Sequence, residues 1–432
     1  MVDIAIIGGG ASGLAAAVAA GWAGVGVCIL EKEDRCGRKL LATGNGRCNL
    51  ANRDFSPRHF HGSLSDIAKT IFETMTMERL EAFWKQLGIE LVEGERGKLY
   101  PRSLQASSVL NVLRRELDRT GATQMTGSEV TDIKPVKDGF LLTVSVREGK
   151  EQSASVKKIK ARKVLLCAGG KASPAFGAAG EGARLASKLG LRIEPLRPAI
   201  CRLRADSPYL KRLAGSKTEG PAVLLVDGKV AMEAEGEVLF TEEGLSGPPI
   251  LDLSRTAGEA LRESRFVEVE LDLAPDYPEG KLFAYLMERA GLLTDLSAEE
   301  MLEGWLRKQL ILPVLLQAKI DKNTKAGELG KKQIADLQKT LKHFNFPIRA
   351  VDGFKDAQVT VGGIKAGEVT ETLELRKVPG MWACGEVLDL DGDCGGYNLT
   401  WAVASALTAA EAAAGALQAE NAAAGARKET RS

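Results

Sequence analysis

The sequence predicts an α/β fold: a largely parallel sheet built from both ends of the chain, interrupted by an inserted β-domain and a helical cap domain. Three observations predict it. Residues 4–30 carry no charge and divide into strand, glycine turn, helix and strand. Residues 127–163 read as an antiparallel ribbon that feeds an apolar strand. After Gly190 the character changes to short strands with turn signals, and then to apolar residues at helical spacing.

The first unit is the most informative. Ile4–Ile7 is wholly apolar, as a parallel strand covered on both faces must be. Gly8, Gly10 and Gly13 follow at G-x-G-x-x-G spacing, then a helix from Leu14 to Ala23 and a strand from Val25 to Leu30. Gly8 permits the tight turn, Gly10 lets backbone approach a pyrophosphate, and Gly13 lets helix and strand pack closely. The helix start offers free N–H groups to phosphate. Glu31 stands 18 residues after Gly13, where a carboxylate accepts hydrogen bonds from a ribose 2′-hydroxyl and repels a 2′-phosphate. An adenine dinucleotide without a 2′-phosphate is expected there, and NADP is not.

The ribbon comprises Glu129–Val136, Phe140–Val146 and Ser153–Ile159, followed by a separate buried strand, Val164 to Cys167, ending in Ala168-Gly169-Gly170. Near the C-terminus, Met381–Cys384 reads as a strand ending in Gly385-Glu386. Gly395-Gly396-Tyr397-Asn398 then opens a small-residue helix, Leu399 to Leu417, with a frayed tail expected from Gly415. This arrangement resembles a Rossmann-like, two-dinucleotide-type FAD-binding domain. In that pattern the acid at Glu386 binds the ribityl hydroxyls, Gly385 lies under the pyrophosphate, and the last helix points its N-terminus at the flavin N1/C2=O edge.

Between these parts, Ala199–Arg204, Ala222–Val226, Val230–Ala234, Glu237–Phe240 and Val267–Leu271 read as strands, and 280–344 as helical with a capping start at Ser297. Phe346–Ala350 and Gln358–Val361 lead back to the first domain. The expected division is 1–195 with 356–432 for the FAD-binding domain, 196–275 with 346–355 for the β-domain, and 276–345 for the helical domain. A substrate cavity between them is the usual arrangement.

Composition limits the alternatives. The 432 residues hold 58 basic and 57 acidic side chains, a net +1 that gives no bulk field for nucleic acid or anionic lipid. Seven cysteines without a C-x-x-C pair, and three histidines, His59, His61 and His343, argue against a disulfide framework, a metal site or a dithiol redox pair. Asp3 and seven glycines within the uncharged run argue against a secretory or membrane segment, so a cytoplasmic protein is expected.

Four segments in order identify a family resemblance: Gly37–Asn49 (GRKLLATGNGRCN), Gly169–Pro174 (GGKASP), Phe240–Pro248 (FTEEGLSGP) and Cys394–Leu399 (CGGYNL). They resemble a bacterial FAD-dependent oxidoreductase family that includes aminoacetone oxidase and the proposed bile-acid 3-dehydro-Δ4,6-reductase. The resemblance runs nearly end to end. It implies FAD contacts from the Gly37–Asn49 loop: Arg38 and Lys39 against pyrophosphate, with Thr43, Asn45, Gly46, Cys48 and Asn49 around the cofactor. It extends them to Ala11, Ser12, Lys32, Val130, Ala168 and Gly169, and to Gly396, Asn398 and Leu399. Cys48 is expected to be a buried hydrophobe rather than a nucleophile, and no catalytic acid or base is named.

The function expected is hydride transfer through flavin N5. With one dinucleotide fingerprint committed to FAD, NAD(P)H would bind only transiently, as donor to a reductase of an unsaturated or carbonyl small molecule. An amine or aminoketone oxidase using O₂ and a non-catalytic flavin-binding module are the alternatives. A flavin-dependent RNA-modifying protein would call for a basic surface that the net charge does not provide.

Overall fold

A computed structural model of the chain describes residues 1–147 and 154–429. It divides into two compact units, residues 1–197 with 358–432, and residues 198–357.

The first unit is built on a seven-stranded sheet. Strand β1 (Val2–Ile7) leads through the glycine turn into helix α1 (Ala11–Trp22) and strand β2 (Val27–Leu30). Later come β3 (Thr123–Met125), β4 (Ser128–Val136), β5 (Gly139–Arg147), β6 (Ala154–Leu166) and β7 (Met381–Ala383). The order is β3-β2-β1-β6-β5-β4, with β7 also pairing β6. Ile4, Ile6, Ile29, Val164, Leu165 and Leu166 have no measurable exposure. Burial on both faces is what lets these strands dispense with polar alternation, and each such side chain contributes roughly 1.5–3 kcal/mol.

Two expectations are corrected here. The third ribbon strand and the buried strand after it are one element: β6 pairs antiparallel with β5 through residues 154–161 and parallel with β1 from Ala161 to Leu166. Its first half is a solvated ribbon edge with Val156 69% exposed, so its lysines read as a break between strands although the backbone continues. Ser153, the expected start of that ribbon strand, lies outside the described residues. The last helix, α2 (Tyr397–Glu429), does not fray at Gly415 but runs on to Glu429. Alanine gives the segment high helix propensity, and Glu420 ties it down by ion pairs to Arg162 and Lys163. Gln418 adds a hydrogen bond to the Ala23 carbonyl.

The second unit is a closed six-stranded barrel of Leu203–Ala205, Gly244–Ser246, Lys229–Thr241, Lys217–Val226, Val267–Leu271 and Phe344–Val351. The barrel and the helices Glu279–Leu292, Ala298–Leu302, Lys308–Gln317 and Lys331–Lys342 share one apolar core. Ser297 caps its helix in the expected reciprocal box with Glu300. The strands expected at Val230–Ala234 and Glu237–Phe240 are one, and the strand expected at Ala199–Arg204 is broken by Ile200 at φ 51°. A fifteen-residue helix, Pro248–Arg262, was not expected. Among the described residues no helix is long and apolar enough to cross a membrane.

Candidate functional site

Parallel pairing puts the site residues in one row. Ile7 is in register with Leu30 and with Leu166, and Leu166 with Ala383. The residues that follow these strand ends, Gly8, Glu31, Cys167-Ala168-Gly169 and Cys384-Gly385-Glu386, therefore emerge together at the carboxyl edge of the sheet. That edge is where open α/β sheets bind their ligands.

The α1 terminus has the shape of a phosphate cradle. A Cβ on Gly13 would lie 1.9 Å from the Gly8 carbonyl oxygen, and one on Gly8, at φ 103°, would lie 2.5 Å from that of Cys167. These two glycines are required by the protein's own packing. Gly10 differs: a Cβ there meets no atom within 4 Å. It caps α1 without any side-chain hydrogen bond, leaving first-turn N–H groups for a ligand. Glu31 accepts from the Gly9 N–H at 2.7 Å and from the Glu33 N–H at 2.8 Å, so its carboxylate is held at the turn, with one oxygen bonded to each strand-end loop.

The C-terminal residues close against this cradle. The Gly385 N–H donates to Ser405 Oγ at 2.9 Å, and its carbonyl accepts from Trp401 Nε1 at 3.3 Å. A Cβ on Gly385 would lie 2.6 Å from Ser12 Oγ, which puts the two chain ends in contact. Glu386 accepts from the Thr360 N–H at 2.7 Å and pairs with Lys39 Nζ at 2.9 Å. Lys39 and Glu386, 347 residues apart in sequence, thus meet.

The remaining expected residues are distributed as follows. Arg38 is taken up by Glu33 and the Ala175 carbonyl, and Lys32 by Glu181. Thr43 donates to the Leu40 carbonyl at 2.6 Å. Asn45, at φ 55°, and Gly46, at φ 81°, are exposed on the loop. Asn49 Oδ1 is buried without a hydrogen-bond partner and faces Gly396, whose missing Cβ would lie 2.8 Å from it. Asn398 staples the preceding turn through Gly392, accepting from its N–H at 2.9 Å and donating to its carbonyl at 2.7 Å. Ala11, Gly169 and Leu399 are partly buried, and Val130 is buried beside a register shift in β4. Burial pushes the Cys48 thiol up to about 11, against a hydrogen bond with Thr43.

Sequence reasoning missed Thr360, which supports Glu386 and whose Oγ1 accepts from the Lys171 and Ala172 N–H groups at 2.7 and 2.9 Å. No local pattern marks it. It also missed the meeting of His59, His61 and Asp393 at the start of α2. Among the described residues no group of three His, Cys, Asp or Glu side chains could hold a metal ion.

The open Gly10 cap and the orphaned Asn49 oxygen fit an extended dinucleotide running from α1 to α2, whereas Gly396 is required by packing, since a Cβ there would lie 2.5 Å from the Ala51 carbonyl oxygen.

Comparison with known proteins agrees with this architecture. The 3-dehydro-bile acid delta(4,6)-reductase of Clostridium scindens is 35% identical over 416 residues, 96% of this chain and 99% of the relative. A ribosomal RNA dihydrouridine synthase of Escherichia coli is 28% identical over 414 residues, 95% of this chain and 97% of the relative. The crystal structure of 3-ketosteroid delta1-dehydrogenase from Sterolibacterium denitrificans shares the fold at 13% identity and a TM-score of 0.52, covering 96% of this chain and 99% of that one. Residues 2–412 match the description HI0933-like protein Rossmann domain, and the chain belongs to that family.

Proposed function

We propose that this FAD-dependent oxidoreductase takes a hydride from NAD(P)H and saturates a carbon–carbon double bond conjugated to a carbonyl in a small molecule. The observation that carries the reading is the junction of Gly10, Glu31, Lys39 and Glu386 at one sheet edge. The first-turn N–H groups of α1 would bind pyrophosphate, Glu31 the adenosine ribose, and Glu386 the ribityl chain. Lys39 would neutralise charge between the last two, and the start of α2 would lie against the ring. FAD, when bound, supplies a hydride-accepting and hydride-donating N5. The α2 N-terminus favours negative charge beside it.

Both relatives support the substrate class. A 3-dehydro Δ4,6 bile acid is a conjugated enone, and dihydrouridine arises from saturating the uracil double bond beside its carbonyl. The second relative also supports an RNA substrate, but the net charge of +1 does not favour one.

The test is an anaerobic titration of the purified yellow protein with NADPH, followed by a 3-oxo-4,6-diene bile acid, O₂, or an unmodified ribosomal RNA transcript. Bleaching by NADPH and recovery with the enone are expected. Inertness to NADPH with fast oxygen recovery would indicate an oxidase. A reduced flavin that no acceptor reoxidises would indicate a binding module. Dihydrouridine in the transcript would replace the small-molecule reading.

A further inference from the structure

We infer that His61 and Asp393 form an acid–base dyad beside the ring site, in which His61 Nδ1 gives or takes the substrate proton. This rests on the flavin reading above and supplies the proton source that it lacks.

Two of the chain's three histidines converge on one carboxylate. His61 Nε2 lies 2.7 Å from Asp393 Oδ1, and His59 Nδ1 lies 2.8 Å from Asp393 Oδ2. Backbone pairing sets the contact: the strand Phe60–His61 runs antiparallel to Asp391–Gly392, and the Asp393 N–H donates to the His59 carbonyl at 2.9 Å. The group is anchored to α2, since the His59 ring stacks on Tyr397, the first residue of that helix, at 4.3 Å and 17°. The start of that helix, at Tyr397, is where the proposed function places the ring.

The two imidazoles are not equivalent. His59 is engaged at both nitrogens, by Asp393 and by Asp54 Oδ2 at 3.0 Å, with Arg58 beside it. His61 is engaged only at Nε2, is one-third exposed, and leaves Nδ1 without a partner among the described residues. Besides Asp54, Arg58, His59 and Asp393, the titratable groups on the neighbouring segments are Asp389, Asp391, Cys394 and Tyr397, with Asp66, Lys69 and Glu73 on the helix Ser65–Thr74. Burial pushes the Asp393 carboxyl up, but hydrogen bonds from His61 and His59 outweigh it and hold the group below the usual range. An ionised Asp393 accepting from Nε2–H fixes the tautomer that bares Nδ1, and it stabilises the imidazolium when Nδ1 is protonated. His59 is then a positioning residue that holds the carboxylate.

The chemistry balances. As the conjugated double bond is saturated, its π bond breaks, one carbon receives hydride with the electron pair that NAD(P)H supplies, and its neighbour receives a proton from His61 Nδ1–H. Neutral His61 keeps Nε2–H on Asp393 and is reprotonated from solvent.

The test uses ¹⁵N-histidine-labelled holoprotein, in which three histidines are assigned by single replacements. Neutral His61 should carry its proton on Nε2, and Asp393→Asn should reduce that fraction. Photoreduced holoprotein is then mixed with the 3-oxo-4,6-diene bile acid. His61→Gln should retain full flavin and slow reoxidation about 10²–10³-fold with a flattened pH profile, and His59→Gln should slow it less than about tenfold. If His61→Gln does not retain flavin, Asp393→Asn carries the rate comparison. Neutral His61 protonated on Nδ1, or a His61→Gln rate within threefold of wild type, overturns the dyad. A colourless wild type, or one that the enone fails to reoxidise, overturns the proposed function instead, and the tautomer result still decides the dyad.

Discussion

Replacing Gly10 and Gly13 separately by alanine distinguishes a ligand cradle from a tight turn. Gly10 has φ −78° and ψ −168°, extended backbone that alanine adopts freely, and its new methyl would touch no protein atom within 4 Å. Loss of the glycine cap costs about 0.5–1 kcal/mol. The stiffer unfolded chain returns about 0.4–1 kcal/mol. The apoprotein should therefore melt within about 2 °C of wild type. Gly13→Ala instead drives a methyl to 1.9 Å from the Gly8 carbonyl oxygen. Relief requires the turn and helix to separate, an overpacking cost of about 1–3 kcal/mol. A cofactor pressed against Gly10 would suffer overpacking of the same size, which weakens its binding about 5- to 150-fold. Thermal melts of the apoproteins and flavin-fluorescence titrations measure the two effects. Wild-type FAD affinity in Gly10→Ala, or a substantially lower apoprotein melting temperature, would refute the assignment.

Glu386→Gln should keep an acceptor for the Thr360 N–H while losing the charge opposite Lys39, whereas Glu386→Ala leaves that N–H unpaired at about 1–3 kcal/mol; equal melting temperatures would count against this support. Six of the seven cysteines are buried and Cys394 is partly exposed, so a thiol reagent at pH 8 should titrate at most one group in the native protein. Rapid labelling of Cys48, whose thiol burial holds near 11, would contradict the packing. In the second unit the hydrogen bond that His343 donates to Glu270 raises the histidine above its ordinary value of about 6.5, against burial. A raised group stabilises fully below its unfolded value and loses that contribution as pH rises through its folded value. Denaturant melts should show the advantage of wild type over His343→Gln shrinking above pH 6.5; a gap that is constant from pH 5.5 to 8.5 excludes the linkage.

What the sequence made legible was local. Gly8, Gly10 and Gly13 follow the charge-free run Ile4–Ile7 and lead into an uncharged helix, so spacing and composition agree, and Ser297 with Glu300 announces its own cap. What it concealed depended on partners far away in the chain. Nothing near Asp393 indicates that His59 and His61, more than 330 positions earlier, will share its carboxylate. Nothing near Thr360 indicates that its N–H will hold Glu386. Helix Pro248–Arg262 is masked in the sequence because its Pro-Pro start reads as a turn, although Ile250, Leu253, Ala257 and Ala260 keep helical spacing on its buried face. Arg38, a basic residue among glycines, invites a phosphate contact, and nothing in the sequence indicates that Glu33, five residues earlier, also engages it.

The single strand β6 constrains how this protein can be altered. Because one uninterrupted backbone belongs to a solvated ribbon at one end and to the covered sheet at the other, a residue inserted near Ala161 would turn half the strand over by one pleat. Val164 and Leu166 would exchange faces with Leu165, and Cys167, with Ala168 and Gly169 behind it, would be carried out of line with Gly8. This stretch acts as a fixed ruler for the glycine turn.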